Sequence, residues 1–229
     1  MKQTALRALL ILAALAWPAH AARAQEEESS EMRRLSRWTE YPGPVRNEEL
    51  RRELFRMLKE DQAVRAFQSE ARRPTEAEDR AMRERAEADT KRLSEILDRY
   101  GFPGVRMVGL NATRAFVTML VHSPSLELQK RALPHVERAA RRREIPPDDY
   151  AMLVDDVLGN EGKLQLYGTN FDYVGGKLAL KPTQAPARLD GRRRKLGLPP
   201  IAEYMQFIAR MSGMPVDESS LPRARPRRK

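Results

Sequence analysis

Apolar side chains return at every third or fourth residue through most of this chain, and prolines and glycines cut the pattern into helix-sized lengths. A repeat near 3.6 residues puts those side chains on one face of an α-helix and scatters them in a strand. The first such length covers residues 46–72. There Leu50, Leu54 and Leu58, with Phe55, Met57, Val64 and Phe67, draw one stripe between Pro44 and Pro74. Thr75 and Glu78 form a capping-box pair, in which hydroxyl and carboxylate satisfy each other's orphan amides. The helix they open runs to Tyr100, with Gly101 placed to end it and Pro103 beyond. Its first half is a charged, solvated face. Its second half turns Leu93, Ile96, Leu97 and Tyr100 inward.

The segment Ala115 to Val121 is apolar throughout and stops at His122, just before Pro124. Starting at Asn111 or Thr113, it reads as a central buried helix, with a strand as the lesser alternative. Ser125 caps a helix from Leu126 to about Arg143, which Pro134 is expected to kink. Pro146-Pro147-Asp148-Asp149 opens the next, over Tyr150–Asn160. The period then changes. Residues 165–174 and Lys177 to Leu180 flank Gly175-Gly176, which signals a β-hairpin. Pro182 to Pro186 forms a linker, a short helix follows around Asp190–Leu196, and a last one runs from Pro200 to about Met211. Val105 to Val108 is too short to classify. The expected fold is mainly α: a single helical domain over 46–212, of about six to seven helices, with one short β-hairpin insert near 165–181.

The chain has 229 residues, a formal charge of +10 and no cysteine. The charge sits mainly at the ends. Residues 223–229 carry five basic side chains and no acid, and residues 1–24 carry Lys2, Arg7 and Arg23 with nothing opposing them. The first 24 residues read as a signal peptide, with a basic start, a ten-residue apolar run from Ala8 to Trp17, and small residues suited to cleavage near Ala21 or Ala24. That run is too short to span a bilayer, which takes about 20 residues as a helix. The chain is therefore expected in the periplasm or secreted. Without cysteine it has no disulfides, so a secreted form rests on its core. Residues 25–45 are expected to be a flexible N-terminal segment, and 213–229 a basic disordered tail that touches anionic surfaces weakly. The tail has no aromatic residue to stack on bases, so specific nucleic-acid binding is not expected.

The strong chemical signatures are missing: no H-E-x-x-H, no Walker loop, no G-x-S-x-G and no G-x-G-x-x-G. Outside the signal, the histidines are His122 and His135, too few for a multi-histidine zinc site. Neither a metal nor a cofactor is expected. What remains are polar residues beside apolar runs. Asp61 and Arg65 are four apart and share a helix face. An exposed pair of that kind is worth only ~0.3–0.5 kcal/mol. His122 is a candidate acid or base near neutrality, or else a satisfied helix-end histidine. Asp155 sits on a mostly apolar helix, and a buried carboxylate needs a partner. Gln165 and Tyr167 project to one side if their segment is extended, and Gly168 permits a bend there. The run Arg192 to Lys195 reads as the wet side of a helix.

Glu60-Asp61-Gln62-x-x-Arg65, Asp89-Thr90, Leu120-Val121-His122, Gln129-x-x-Ala132-Leu133-Pro134, Asp149-Tyr150-Ala151-x-Leu153-x-Asp155 and Gln165-x-Tyr167-Gly168-Thr169 stand in this order. Together they resemble an uncharacterised bacterial domain of unknown function, over about Asn47 to Tyr204. Such domains usually carry arginine where this chain has Asp156. The resemblance implies no named reaction. It groups a candidate set: His122, Asp61 and Asp155 for catalysis, and Arg65, Asp89, Gln129, Gln165 and Tyr167 for ligand binding. Two functions stay open. One is a polar small-molecule pocket, enzymatic or not, in which these residues converge. The other is a non-catalytic interaction or structural module in which they serve as caps and buried networks.

Overall fold

A computed structural model describes residues 43–65 and 74–222. The expected signal peptide, most of the N-terminal segment and the basic residues 223–229 lie outside them. Helix α1 (Glu48–Val64) starts where Asn47 Oδ1 accepts the Leu50 amide at 3.0 Å. Its stripe buries Leu50, Leu54, Met57 and Leu58. The helix ends with Arg65 as its C-cap, so Phe67, which continues the stripe in sequence, lies outside the described residues. Helix α2 (Glu76–Tyr100) opens with the capping box of Thr75 and Glu78, both halves of it formed. Only its second half is strongly apolar inside, with Leu93, Ile96 and Leu97 buried.

The four residues of α3 (Val105–Val108) form one further helical turn that leads into α4 (Leu110–His122). Here continuous apolarity does mean burial on all sides. Ala112, Ala115, Phe116 and Leu120 have no exposed surface, and α1, α2, α5 and α6 all pack on this helix. Helix α5 (Leu126–Arg141) continues through Pro134, and α6 (Pro147–Asn160) completes the first core.

The second core is smaller. Strands β1 (Phe171–Val174) and β2 (Lys177–Leu180) pair antiparallel, with Phe171 opposite Leu180 and Val174 opposite Lys177. Gly175 and Gly176 both have positive φ, 56° and 76°, as a two-residue type I′ turn requires. Helices α7 (Leu189–Leu196) and α8 (Ile201–Ser212) pack on this hairpin through Leu189, Ile201, Met205 and Ile208. The described residues thus contain the seven expected helices plus α3.

The disordered tail expected from residue 213 is corrected as far as Pro222. Leu178 of β2 donates to the Pro215 carbonyl at 2.8 Å and accepts from the Asp217 amide at 2.9 Å. Met214 is buried, while Val216 and Leu221 pack on the second core. This segment covers the outer edge of β2, whose amides would otherwise face water unpaired. Among the described residues, no helix is long and apolar enough to cross a membrane.

Candidate functional site

Helix α1 ends beside the end of α4, and that junction brings Asp61, Arg65 and His122 together. Asp61 Oδ2 lies 2.7 Å from His122 Nδ1, and Asp61 Oδ1 accepts from Arg65 Nε at 2.9 Å. All three side chains are buried, at 1%, 3% and 5% exposure for Asp61, His122 and Arg65. An ionised carboxylate only accepts, so Nδ1 must carry the hydrogen. Nε2 is then a lone pair in neutral His122 and an N–H donor in the protonated ring. It is buried and has no hydrogen-bond partner among the described residues. Burial opposes charge on Asp61. The hydrogen bond and charge of His122, and then Arg65, outweigh it and hold the carboxyl below its usual range.

Asp89 belongs to the same neighbourhood by a different route. Arg85 grips it from one helical turn away through two nitrogens, Nε at 3.0 Å, and also reaches Glu60 at 2.6 Å. Burial raises the Asp89 pKa despite Arg85, and the charges of Asp61 and Glu60 push it the same way. Thr90, next to Asp89, shares a 2.7 Å contact with the hydroxyl of Ser123, which follows His122. Thr90 already donates to the Ala86 carbonyl, so the Ser123 hydroxyl is the donor.

The other candidates lie in two further groups. Gln129 of α5 caps the end of α4, giving its amide to the carbonyls of Leu120 and Ser123 at 3.0 and 3.2 Å. It also donates to Asp156 at 2.7 Å and accepts from Asn160 at 2.9 Å. Asp156 therefore takes part in a buried polar network that fixes α5 against α6. Asp155, its neighbour, points elsewhere. Its carboxylate accepts the amides of Leu166, Tyr167 and Thr169 at 2.6, 2.9 and 2.9 Å, and the Thr169 hydroxyl at 2.9 Å. Burial raises its pKa, and those donors oppose the rise. Gln165 closes the root of the hairpin by donating to the carbonyls of Asn170 and Lys181 and accepting the Asn170 amide at 2.8 Å. Tyr167 packs its ring against Tyr150, 6.1 Å between centroids. The single convergent set is thus divided into three, and in the first of them His122 Nε2 has no partner among the described residues.

Two features escape a sequence reading. Asp149 is buried against Arg114 Nε, at 3.0 Å, and its pKa is pushed up to about 7, first by burial and then by the neighbouring Asp148. Arg193, expected on a wet face, is 1% exposed. It donates to the carbonyls of Pro199 and Tyr167, both at 2.6 Å, and lies over the Tyr204 ring at 4.7 Å. Arg192 likewise donates to the Leu166 carbonyl. Only Arg194 and Lys195 of that run fit the expected solvated face.

A family profile matches residues 48–217, from the first turn of α1 to the strap along β2. The chain belongs to DUF6624, a family of unknown function. No curated protein and no solved structure matches it. The DUF6624 match covers all three polar groups and both cores. It attaches no chemistry to any of them. Among the described residues, no group of three or more acidic, histidine or cysteine side chains is placed to hold a metal ion.

Proposed function

We propose that this DUF6624 domain carries a proton-transfer site for a small molecule, with His122 as acid or base and Asp61 as the residue that positions it. The observation behind this reading is the buried 2.7 Å contact of Asp61 with His122 Nδ1, with Nε2 unpaired among the described residues. A carboxylate on one imidazole nitrogen fixes the tautomer and steadies the cation that forms when the other nitrogen takes a proton. Access to Nε2 requires a local opening around the ring, because His122 is almost wholly covered. The basic, apolar and small-residue pattern of residues 1–24 supports export to the periplasm or beyond.

The test is turnover of a panel of small carbonyl, ester and hydroxyl compounds by the purified protein and by His122→Gln. Turnover that falls by at least ~100-fold in the variant supports the reading, in line with the usual contribution of acid–base catalysis. Turnover that survives in His122→Gln, or none with any compound, overturns it.

A second reading has its own support. Asp155, Gln129 and Gln165 direct most of their polar atoms at main-chain groups, as residues of a structural module do. In that reading the domain binds a partner without catalysis, and the basic residues after Pro222 add weak polyanion attraction. Deleting residues 223–229 then removes salt-sensitive binding to heparin while leaving the melting temperature unchanged.

A further inference from the structure

We infer that the first half of α2, residues 76–89, is a lid over the Asp61–His122 pair, hinged at Thr90 and latched by the ion pair of Arg85 with Glu60. This deepens the proton-transfer reading by naming how access to its site is regulated, and it rests on that reading for the use of His122.

The lid lies across the neighbours of both buried residues. Arg85 Nη1 donates to Glu60, next to Asp61, at 2.6 Å, and the Thr90 hydroxyl meets that of Ser123, next to His122, at 2.7 Å. One stretch of α2, residues 85–90, therefore touches the end of α1 and the end of α4 together. The charge of Asp61 acts on Arg85 and Asp89 alike, which puts that stretch beside the carboxylate. The bonds of Asp61 itself run elsewhere. They join it to Arg65 and, at 3.1 Å, to Gln62 Nε2 within the end of α1, and to His122 of α4. Lifting the first half of α2 thus uncovers the pair without breaking it.

Apolar anchorage changes abruptly along α2. Leu93, Ile96 and Leu97 are buried in the first core. Met82 is the one buried apolar side chain of residues 76–89, and it belongs to neither core. So short a helix, with almost no apolar face to bury, is marginal by itself. The latch is weak as well. Arg85 is 22% exposed and Glu60 47%, and a pair so open to water contributes little and is screened by salt. Asp89 is buried at a cost in hydration, which it regains when the lid opens. Thr90 supplies the hinge. Its hydroxyl bonds the Ala86 carbonyl one turn back, at 2.7 Å, a contact that weakens and bends helices. Segments short of buried apolar contacts are where local opening occurs.

The experiment treats the purified full chain with diethyl pyrocarbonate, which modifies a neutral imidazole, and reads His122 and His135 separately by peptide mass spectrometry. Amide hydrogen exchange is followed alongside. His135, half-buried on α5, is the internal control. Amides of residues 81–89 are expected to exchange at least ~100-fold faster than those of Leu93, Ile96 and Leu97. His122 modification is expected to rise about 3-fold between ~0.02 and ~0.5 M sodium chloride. Arg85→Gln is expected to raise it at least ~10-fold, since Asp89 also loses its partner. Glu60→Gln removes the latch alone from a half-exposed position, and serves if Arg85→Gln fails to fold. It is expected to give about 3-fold at low salt and no further rise with salt. His135 and the Leu93, Ile96 and Leu97 amides stay unchanged throughout. The inference is overturned if neither salt nor Glu60→Gln speeds modification of His122, or if residues 81–89 exchange as slowly as the second half of α2. Modification that rises only in step with exchange at Leu93, Ile96 and Leu97 overturns it too, because the whole domain is then unfolding. His122 reached through the lid, with no turnover of any compound, sinks the catalytic reading and leaves the lid standing. Turnover through His122, with access indifferent to salt and to both variants, does the reverse.

Discussion

Arg114 of α4 and Asp149 of α6 face each other across the first core, Arg114 Nε 3.0 and 3.3 Å from the two oxygens of the Asp149 carboxylate. Even so, Asp149 titrates at about 7, because burial and the adjacent Asp148 outweigh the arginine. Its folded pKa lies above the unfolded value of roughly 3.9. The folded state therefore holds the proton more tightly, and the resulting stability is complete below about pH 4. It is lost as pH rises towards 7.

The first prediction follows from that sign. Chemical denaturation at a series of pH values should show stability falling between about pH 4 and 7, by on the order of 4 kcal/mol at most, at about 1.4 kcal/mol per pKa unit. Asp149→Asn should flatten that slope. A variant with the same slope as the parent would move the titration to another group.

Asp61 carries the opposite sign. Its folded pKa is depressed, so its contribution is present above the ordinary carboxylate range and is lost as pH falls through the folded value. Asp61→Asn leaves His122 and Arg65 buried without their anion. A loss of roughly 3–5 kcal/mol is expected at pH 7, the range for breaking a buried pair by removing one partner. Urea melts of the two proteins measure it. A change under ~1 kcal/mol would show the pair to be solvated.

Asp155→Ala should free the loop over residues 166–169. Three amides and one hydroxyl lose their acceptor, and each buried group left unpaired costs about 1–3 kcal/mol. Hydrogen exchange at the Leu166, Tyr167 and Thr169 amides should speed up before that of α4 does. Unchanged protection at those amides would remove Asp155 from the role of loop anchor.

Gly168→Ala tests the turn that follows. Gly168 has φ of +75°, and a Cβ there would stand 3.0 Å from Ile201 Cδ1 and 3.4 Å from Leu189 Cδ2. Backbone strain and the crowded second core together predict a cost of about 1–3 kcal/mol. Differential scanning calorimetry should show it as a lower melting temperature. A neutral substitution would mean that the isoleucine side chain gives way.

The periodic residues made the helices legible, and Thr75 with Glu78 placed a helix start to the residue. Gly175-Gly176 did the same for the hairpin. Asp61, Arg65 and His122 were legible as candidates because each interrupts or ends an apolar run. Gln62 was not, since its only mark is a place beside Asp61. Arg193 was hidden for a more general reason. Its acceptors are the carbonyls of Tyr167 and Pro199, and main-chain groups of distant segments leave no side-chain pattern to read. The strap after Gly213 was hidden in the same way, through bonds from Leu178 to Pro215 and Asp217. Arg114 shows the converse. It sits in a buried helix, yet nothing nearby in sequence announces Asp149 as its partner.

The two apolar cores are separate, and prominent ties between them are polar: Asp155 to the loop amides, and Arg193 to the Tyr167 carbonyl. Such a seam lets the hairpin, α7 and α8 open as one cooperative unit while the six-helix body stays closed. The smaller core is then expected to melt as a module before the whole. Because burial raises the Asp155 pKa above its unfolded value, this carboxylate should loosen the hinge between them as pH rises, not as it falls.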